Sequence, residues 1–234
     1  MALLKCSDLT IGFDNLVLYE HLSFEINKGD YVFVIGENGA GKSSLMRTLL
    51  GLIKPLHGTI ETGDGLEANE IGYLPQQTVV QRDFPASCKE IVLSGRTGKM
   101  GLRPFFSKED KRIAREAMVK FGVDKFENKC YRDLSGGQQQ RVMLARTFCS
   151  TSKMMLLDEP VAGLDPYATE DLYQTVKELN DEGVTIIMIS HDIPAANKYA
   201  SHILHIKDEP SYMTRKEYFT VGKGAQFKIF GEEK

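Results

Sequence analysis

The chain has 234 residues, of which 42% are hydrophobic and 26% charged, with a formal net charge of −3. That composition fits a globular protein with a sizeable core, and the lack of a basic excess argues against nucleic acid as the main partner. The longest apolar runs, residues 185–189 and 154–157, are far too short to cross a bilayer, and the first six residues lack a signal peptide's apolar stretch. Cys6, Cys88, Cys130 and Cys149 are scattered without C-x-x-C spacing. Free, mostly buried thiols in a reducing, cytosolic compartment are therefore expected.

Residues 2–27 alternate apolar and polar side chains around Asp14-Asn15, a turn pair, which predicts a β-hairpin. The apolar run at 31–35 predicts a buried strand. It leads into Gly36, Glu37, Asn38, Gly39, Ala40, Gly41, Lys42 and Ser43, which fit G-x-x-x-x-G-K-[ST]. In that pattern the glycines let successive N–H groups converge on phosphate oxygens. The lysine reaches the outer phosphates, and the hydroxyl supplies an oxygen ligand to Mg²⁺. Residues 45–50 read as a helix stopped by Gly51. Strand, loop and helix in that order aim a helix N-terminus at an anion, with contacts running on to Ser44.

A turn from Pro55 to Gly58 leads to a strand at 59–61, and a further strand at 71–74 ends at Pro75. Residues 85–150 then read mostly as helix. Ser107, with Asp110 three residues on, predicts a capped helix over 108–121 that Gly122 stops. A strand at 154–158 follows. A helix over 166–182 has Asp165 at its N-cap, Pro166 in its first turn, Gly183 past its end, and Leu172, Val176 and Leu179 as its apolar stripe. Strands at 184–189 and 202–206 complete an α/β nucleotide-binding core. The chain reads as one domain over residues 1–234, with a helical insertion at about 85–150.

Four apolar residues, Met154 to Leu157, place a buried strand beside the glycine loop, with Asp158 at its carboxyl end to hold Mg²⁺. Glu159 comes next, where a carboxylate facing the terminal phosphate orients or deprotonates an attacking water. Leu134, Ser135, Gly136, Gly137 and Gln138 precede an apolar-periodic helix over 139–148, giving a second exposed helix N-terminus with bare amides. One phosphate cradle is already present, so a second needs another ligand or another subunit. His191 follows the strand at 185–189 and so shares the carboxyl edge of Asp158, in reach of a γ-phosphate and Glu159. His202 and His205 are three apart on a strand, on opposite faces, and do not share an ion.

With these motifs in order, the chain resembles the ATP-binding-cassette (ABC) ATPases along nearly its whole length. Gln76, after Leu74-Pro75, matches the Q-loop; residues 162–165, ending at Asp165, match the D-loop; His191 matches the switch histidine. Phe13 falls where the family stacks an aromatic ring on adenine, keeping the face of the commoner tyrosine without its hydroxyl. The resemblance implies a P-loop NTPase (RecA-like) core with an N-terminal antiparallel β-subdomain and an inserted helical subdomain. It implies ATP and Mg²⁺ as cofactors, with Lys42, Gln76, Glu159 and His191 catalytic and Ser43, Gln76 and Asp158 on the metal. It also implies a homodimer in which ATP at Lys42 of one copy is closed over by residues 134–138 of the other.

Further implications concern partners. The resemblance implies separate integral-membrane permease subunits docking near residues 77–96, and indirect work with a substrate-binding protein. It puts the chain in the cytoplasm, peripheral on the inner face of the cell membrane. Residues 84–96 and 134–141 look like the ATPase subunits of bacterial importers for zinc, manganese or iron, and subunits for siderophores and cobalamin carry similar sequences. A DNA-repair member would need a long coiled-coil or DNA-binding insertion, and a translation-associated member two fused cassettes. A soluble assembly-factor or lipoprotein-release ATPase would keep the same catalytic residues and differ only on its partner-facing surface. Residues 207–234, with Tyr212, Tyr218, Phe219, Phe227 and Phe230 among lysines, read as a small closing element against the core.

Overall fold

The hairpin expected at the N-terminus forms from β1 (Ala2–Phe13) and β2 (Leu16–Asn27), which pair antiparallel, and β4 (His57–Thr62) joins the other side of β1. The result is a three-stranded sheet in the order β2-β1-β4. A computed structural model describes residues 2–13, 16–67, 70–76, 83–151, 153–207 and 209–225. The expected Asp14-Asn15 turn, residues 77–82 of the stretch expected to meet a permease, Phe227 and Phe230 lie outside them.

A second sheet holds β3 (Tyr31–Gly36), β5 (Ile71–Leu74), β6 (Met154–Asp158), β7 (Thr185–Ile189), β8 (His202–Ile206) and β9 (Ser211–Thr214). Their order is β5-β6-β7-β3-β8-β9, all pairs parallel except the last. The closing element read from the tail is thus an added edge strand, β9, followed by a last helix, Arg215–Ala225.

Both faces of the parallel strands are buried, which is why they read as continuous apolar runs rather than alternating ones. Val32, Val34, Leu156, Ile187 and Ile189 turn towards the three-stranded sheet and α1 (Lys42–Leu49). Tyr31, Phe33, Met155, Leu157, Ile186 and Met188 turn to the opposite face, which is covered by helices. Those helices include α2 (Cys88–Ser94), α3 (Lys108–Lys120), α4 (Gly136–Ser150), α5 (Pro166–Asp181) and α6 (Ile193–Tyr199); α7 (Arg215–Ala225) ends the described chain. Each fully buried aliphatic or aromatic side chain in these layers stabilises the fold by about 1.5–3 kcal/mol.

The caps read from sequence are present. Ser107 and Asp110 close a capping box on α3, and Asp165 accepts from the N–H groups of Tyr167 and Ala168 at the start of α5. A further capping box, Ser87 with Glu90, starts α2.

All of α2, α3 and α4 lie in the chain between β5 and β6, which are neighbours in the sheet. The insertion is knitted together by Asp110, a buried carboxylate that accepts from Arg96 Nε and Arg103 Nη1 at 3.1 Å each, and from the backbone N–H and hydroxyl of Ser107 at 2.9 and 2.7 Å. Gly95 lets α2 approach α4 closely, since a Cβ there would stand 2.1 Å from the Arg146 carbonyl oxygen.

Cys6, Cys88 and Cys149 are buried free thiols, as expected, and Cys130 is half-buried. Burial pushes the Cys6 and Cys149 thiols up to about 12, so they are inert at neutral pH. No helix among the described residues is long and apolar enough to cross a membrane.

Candidate nucleotide-binding and catalytic site

The glycine loop leaves β3 at Gly36, where a Cβ would stand 2.4 Å from the Ile206 carbonyl oxygen on β8. Gly39 and Gly41 take left-handed backbone angles, φ 83° and 90°. A Cβ on Gly41 would meet Leu18 Cδ1 at 2.9 Å, so the loop rests directly on β2. Lys42 opens α1 and is buried. Its Nζ donates to the carbonyl oxygens of Gly36 and Glu37 at 2.8 and 2.7 Å, folding the ammonium over the loop. Burial holds its pKa below the usual lysine range, against the pull of Glu159 and Asp158.

Asp158 ends β6 opposite Ile189 of β7 and is only 4% exposed. Burial raises its pKa, and hydroxyl bonds from Ser43 and from Tyr73 on β5 counter that rise. Tyr73 escaped the sequence reading, which took residues 71–74 only as strand. A phenol on a short core strand, one residue from the strand's end, is the signal that was there.

Glu159 leaves the strand with a left-handed φ of 48°, unusual for a side chain that is not glycine. Its N–H donates to the Ile189 carbonyl at 3.1 Å, which pins the turn. The carboxylate then accepts from Gln76 Nε2 at 2.7 Å and lies 2.9 Å from His191 Nε2. Loops from the ends of β5, β6 and β7, three adjacent strands, therefore converge on one carboxylate. The sequence placed Asp158, Glu159 and His191 on a common edge, and the structure adds Gln76 to that group.

The remaining expected site residues lie elsewhere. Phe13 is at the end of β1, 41% exposed, in register with Leu16. Leu134 is buried, while Ser135 caps α4 with its oxygen on the Gln138 N–H at 3.4 Å, and the Gln138 side chain returns to the Ser135 N–H at 3.1 Å. The expectation of bare amides is corrected at Gln138, whose N–H the Ser135 hydroxyl takes. Gly137 abuts Ala168, 3.2 Å from where its Cβ would lie, and a Cβ on Gly136 would lie 3.7 Å from Leu164 Cδ2. The start of α4 and the Asp165 cap of α5 thus share one surface.

The hydroxyl of Ser43, the carboxylate of Asp158 and the amide of Gln76 are hard oxygen donors, the chemistry that suits Mg²⁺. Among the described residues no group of three or more His, Cys, Asp or Glu side chains is placed to hold a metal. The two β8 histidines are used structurally: His202 stacks on Tyr212 with centroids 5.1 Å apart, and His205 meets Tyr218 edge-on at 5.7 Å.

A glycine loop heading one helix, with an acid pair and a histidine gathered beside it from neighbouring parallel strands, defines a P-loop ATPase cassette. The profile of the ABC transporter family matches residues 19–162, and the chain belongs to that family. The matched span takes in the glycine loop, Gln76, residues 134–138, Asp158 and Glu159, while Phe13, Asp165 and His191 fall outside it.

Among its relatives, the manganese transport system ATP-binding protein MntB of Bacillus subtilis is 35% identical over 203 residues, covering 86% of this chain and 81% of that one. The zinc uptake system ATP-binding protein ZurA of Listeria innocua is 32% identical over 211 residues, covering 87% and 82%. A solved structure of a metal-chelate type ABC transporter in an inward-facing conformation superposes with a TM-score of 0.87 at 27% identity, covering 97% of this chain and 90% of that one. The chain is accordingly an ATP-binding, ATP-hydrolysing cassette.

Proposed function

We propose that this cassette is the ATPase subunit of an importer for a divalent metal ion, manganese, zinc or iron, and that it energises a separate membrane permease. The observation that carries the catalytic part is the carboxylate of Glu159 held between Gln76 and His191 beside the glycine loop. The relatives named for manganese and zinc transport support the choice of cargo.

In this reading the residues from Gly36 to Ser44 cradle the phosphates of ATP, and Phe13 stacks on the adenine. Lys42 exchanges its loop carbonyls for the outer phosphates. Mg²⁺, held by Ser43, Asp158 and Gln76, supplies charge neutralisation on those phosphates. Glu159 takes a proton from the attacking water, and His191 steadies both that carboxylate and a γ-phosphate oxygen. The Glu159 carboxylate meets Gln76 and His191 while Asp158 stays buried, so neighbouring acids take different tasks.

Residues 134–138 and Asp165 lie on one surface and serve a second copy, so two chains enclose two ATP molecules. ATP binding favours the closed pair and hydrolysis reopens it, which delivers mechanical work to the permease. The chain sits on the inner face of the cell membrane, and its tie to a substrate-binding protein runs through the permease. The test is reconstitution with the cognate permease and binding protein in vesicles. ATP-dependent uptake of Mn²⁺, Zn²⁺ or Fe²⁺ supports the reading. Uptake of a siderophore or corrinoid chelate in place of the free ions replaces the cargo, and no ATP-dependent uptake removes the transport role.

A further inference from the structure

A buried phenol on α5 reaches the turn that carries His191. Tyr173 is 1% exposed, its ring lying between Phe33 of β3 and Tyr199 of α6, with centroids 6.3 and 5.7 Å away. Its hydroxyl is 2.9 Å from Oγ of Ser190, itself 2% exposed. Ser190 Oγ also accepts from the Asp192 N–H at 3.1 Å, and the Asp192 carboxylate accepts from the Ala195 N–H at 2.9 Å to start α6. On the strand side, the Ser190 N–H donates to the Val34 carbonyl at 3.4 Å. The backbone on both sides of His191 is thus tied through Ser190 to one buried phenol, while the imidazole itself is half exposed.

We propose that Tyr173 is a positioning residue for His191. Through Ser190 and Asp192 its hydroxyl fixes the turn after β7, so that Nε2 of His191 stays 2.9 Å from the Glu159 carboxylate. The inference rests on the catalytic role assigned to His191 above. Packing alone does not explain the hydroxyl. A phenylalanine ring would fill the same space between Phe33 and Tyr199, and a phenol buried this deeply carries a desolvation cost unless its oxygen is bonded. Among the described residues that oxygen bonds to Ser190, at the start of the histidine turn.

The experiment uses the full chain. Tyr173→Phe keeps the ring and removes the hydroxyl, and Ser190→Ala breaks the same bond from the other side. Steady-state ATP turnover is measured beside the Cε1–H NMR signal of His191, which His191→Ala identifies by its disappearance. Both variants are expected to lower kcat about fivefold while KM for ATP stays within about twofold, the pattern of an interaction used in the transition state. In both, the His191 signal shifts or broadens. Wild-type turnover, or slowed turnover with the His191 signal unmoved, overturns the inference, because a role in packing alone leaves that signal in place. If His191→Ala itself turns over normally, the catalytic assignment of His191 fails instead, and the two failures are told apart. Should one variant not fold, the other supplies both readouts.

Discussion

Gln76 donates its side-chain amide to Oε2 of Glu159 at 2.7 Å, across 83 positions of sequence, and so ties the end of β5 to the turn beyond β6. Oε1 of the same carboxylate is left for His191. A group gripped at both oxygens, on a backbone held in a left-handed angle, is organised to act at a fixed point.

Replacing Glu159 by Gln keeps the amide-sized shape and removes the proton acceptor. ATP binding should persist while phosphate release falls by about 100-fold or more, the scale of a lost general base. A fluorescent phosphate sensor reads the rate, and light scattering after Mg²⁺ and ATP reads the mass. The variant should double its mass with ATP; release at the wild-type rate would remove Glu159 as the base.

Gly41→Ala adds a methyl that meets Leu18 at 2.9 Å on a backbone at φ 90°. The loop must shift, and ATP affinity should drop about tenfold, since a left-handed alanine alone costs roughly 1–2 kcal/mol. Gly29→Ala is the control: its φ is 82°, and nothing lies within 4 Å of the added Cβ. That variant should lose about 1 kcal/mol of stability and no affinity. Titration with a fluorescent ATP analogue separates the two.

Asp158→Asn removes the charge that Ser43 and Tyr73 hold in place. The Mg²⁺ concentration for half-maximal turnover should rise about tenfold or more, because a carboxylate is the strongest ligand in an oxygen set of this kind. An unchanged Mg²⁺ requirement would take Asp158 off the metal.

Asp110 sets an acid limit on the helical insertion. The Ser107 hydroxyl and N–H, then Arg96 and Arg103, hold its carboxyl well below the usual aspartate range. The folded state therefore binds this proton less readily than the unfolded chain. Its stabilisation is complete above the unfolded pKa of about 4 and is lost as pH falls further. Asp110→Asn should cost about 2–3 kcal/mol at pH 7 by urea denaturation, and clearly less at pH 3. Equal losses at both values would show that the charge is not what matters.

Gly95→Ala forces a Cβ against the Arg146 carbonyl oxygen, 2.1 Å away. Overpacking of this sort costs roughly 1–3 kcal/mol, so the melting temperature should fall by several degrees while ATP affinity at the distant glycine loop is retained.

Local chemistry made much of this legible. The hairpin, the glycine loop and the starts of three helices at Ser107, Ser135 and Asp165 follow from patterns a few residues long. The Ser87 and Glu90 capping box at α2 has the same spacing, but it lies inside a stretch that reads mostly as helix and so does not stand out as a start. Contacts between distant residues were not legible. Nothing in the chain near Gln76 announces a bond to Glu159, and nothing near Tyr173 announces Ser190. Both arise because strands far apart in sequence lie side by side. Edge strand β9 was equally hidden: a run of four residues, Ser211–Thr214, carries too little pattern to separate it from loop, and its pairing with β8 decides the matter.

Asp158 and Glu159 are adjoining acids of nearly equal chemistry, told apart by alignment. Leu157 pairs with Leu74 on one side and with Met188 on the other, and Asp158 pairs with Ile189. A slip of β6 by a single residue would exchange which acid points inward and which outward. What opposes that slip is the charge at either end of the run: it would carry Asp158 or Lys153 into an apolar layer now filled by Leu157 or Met154. A shift of register in this strand would therefore abolish turnover with every reactive group still present.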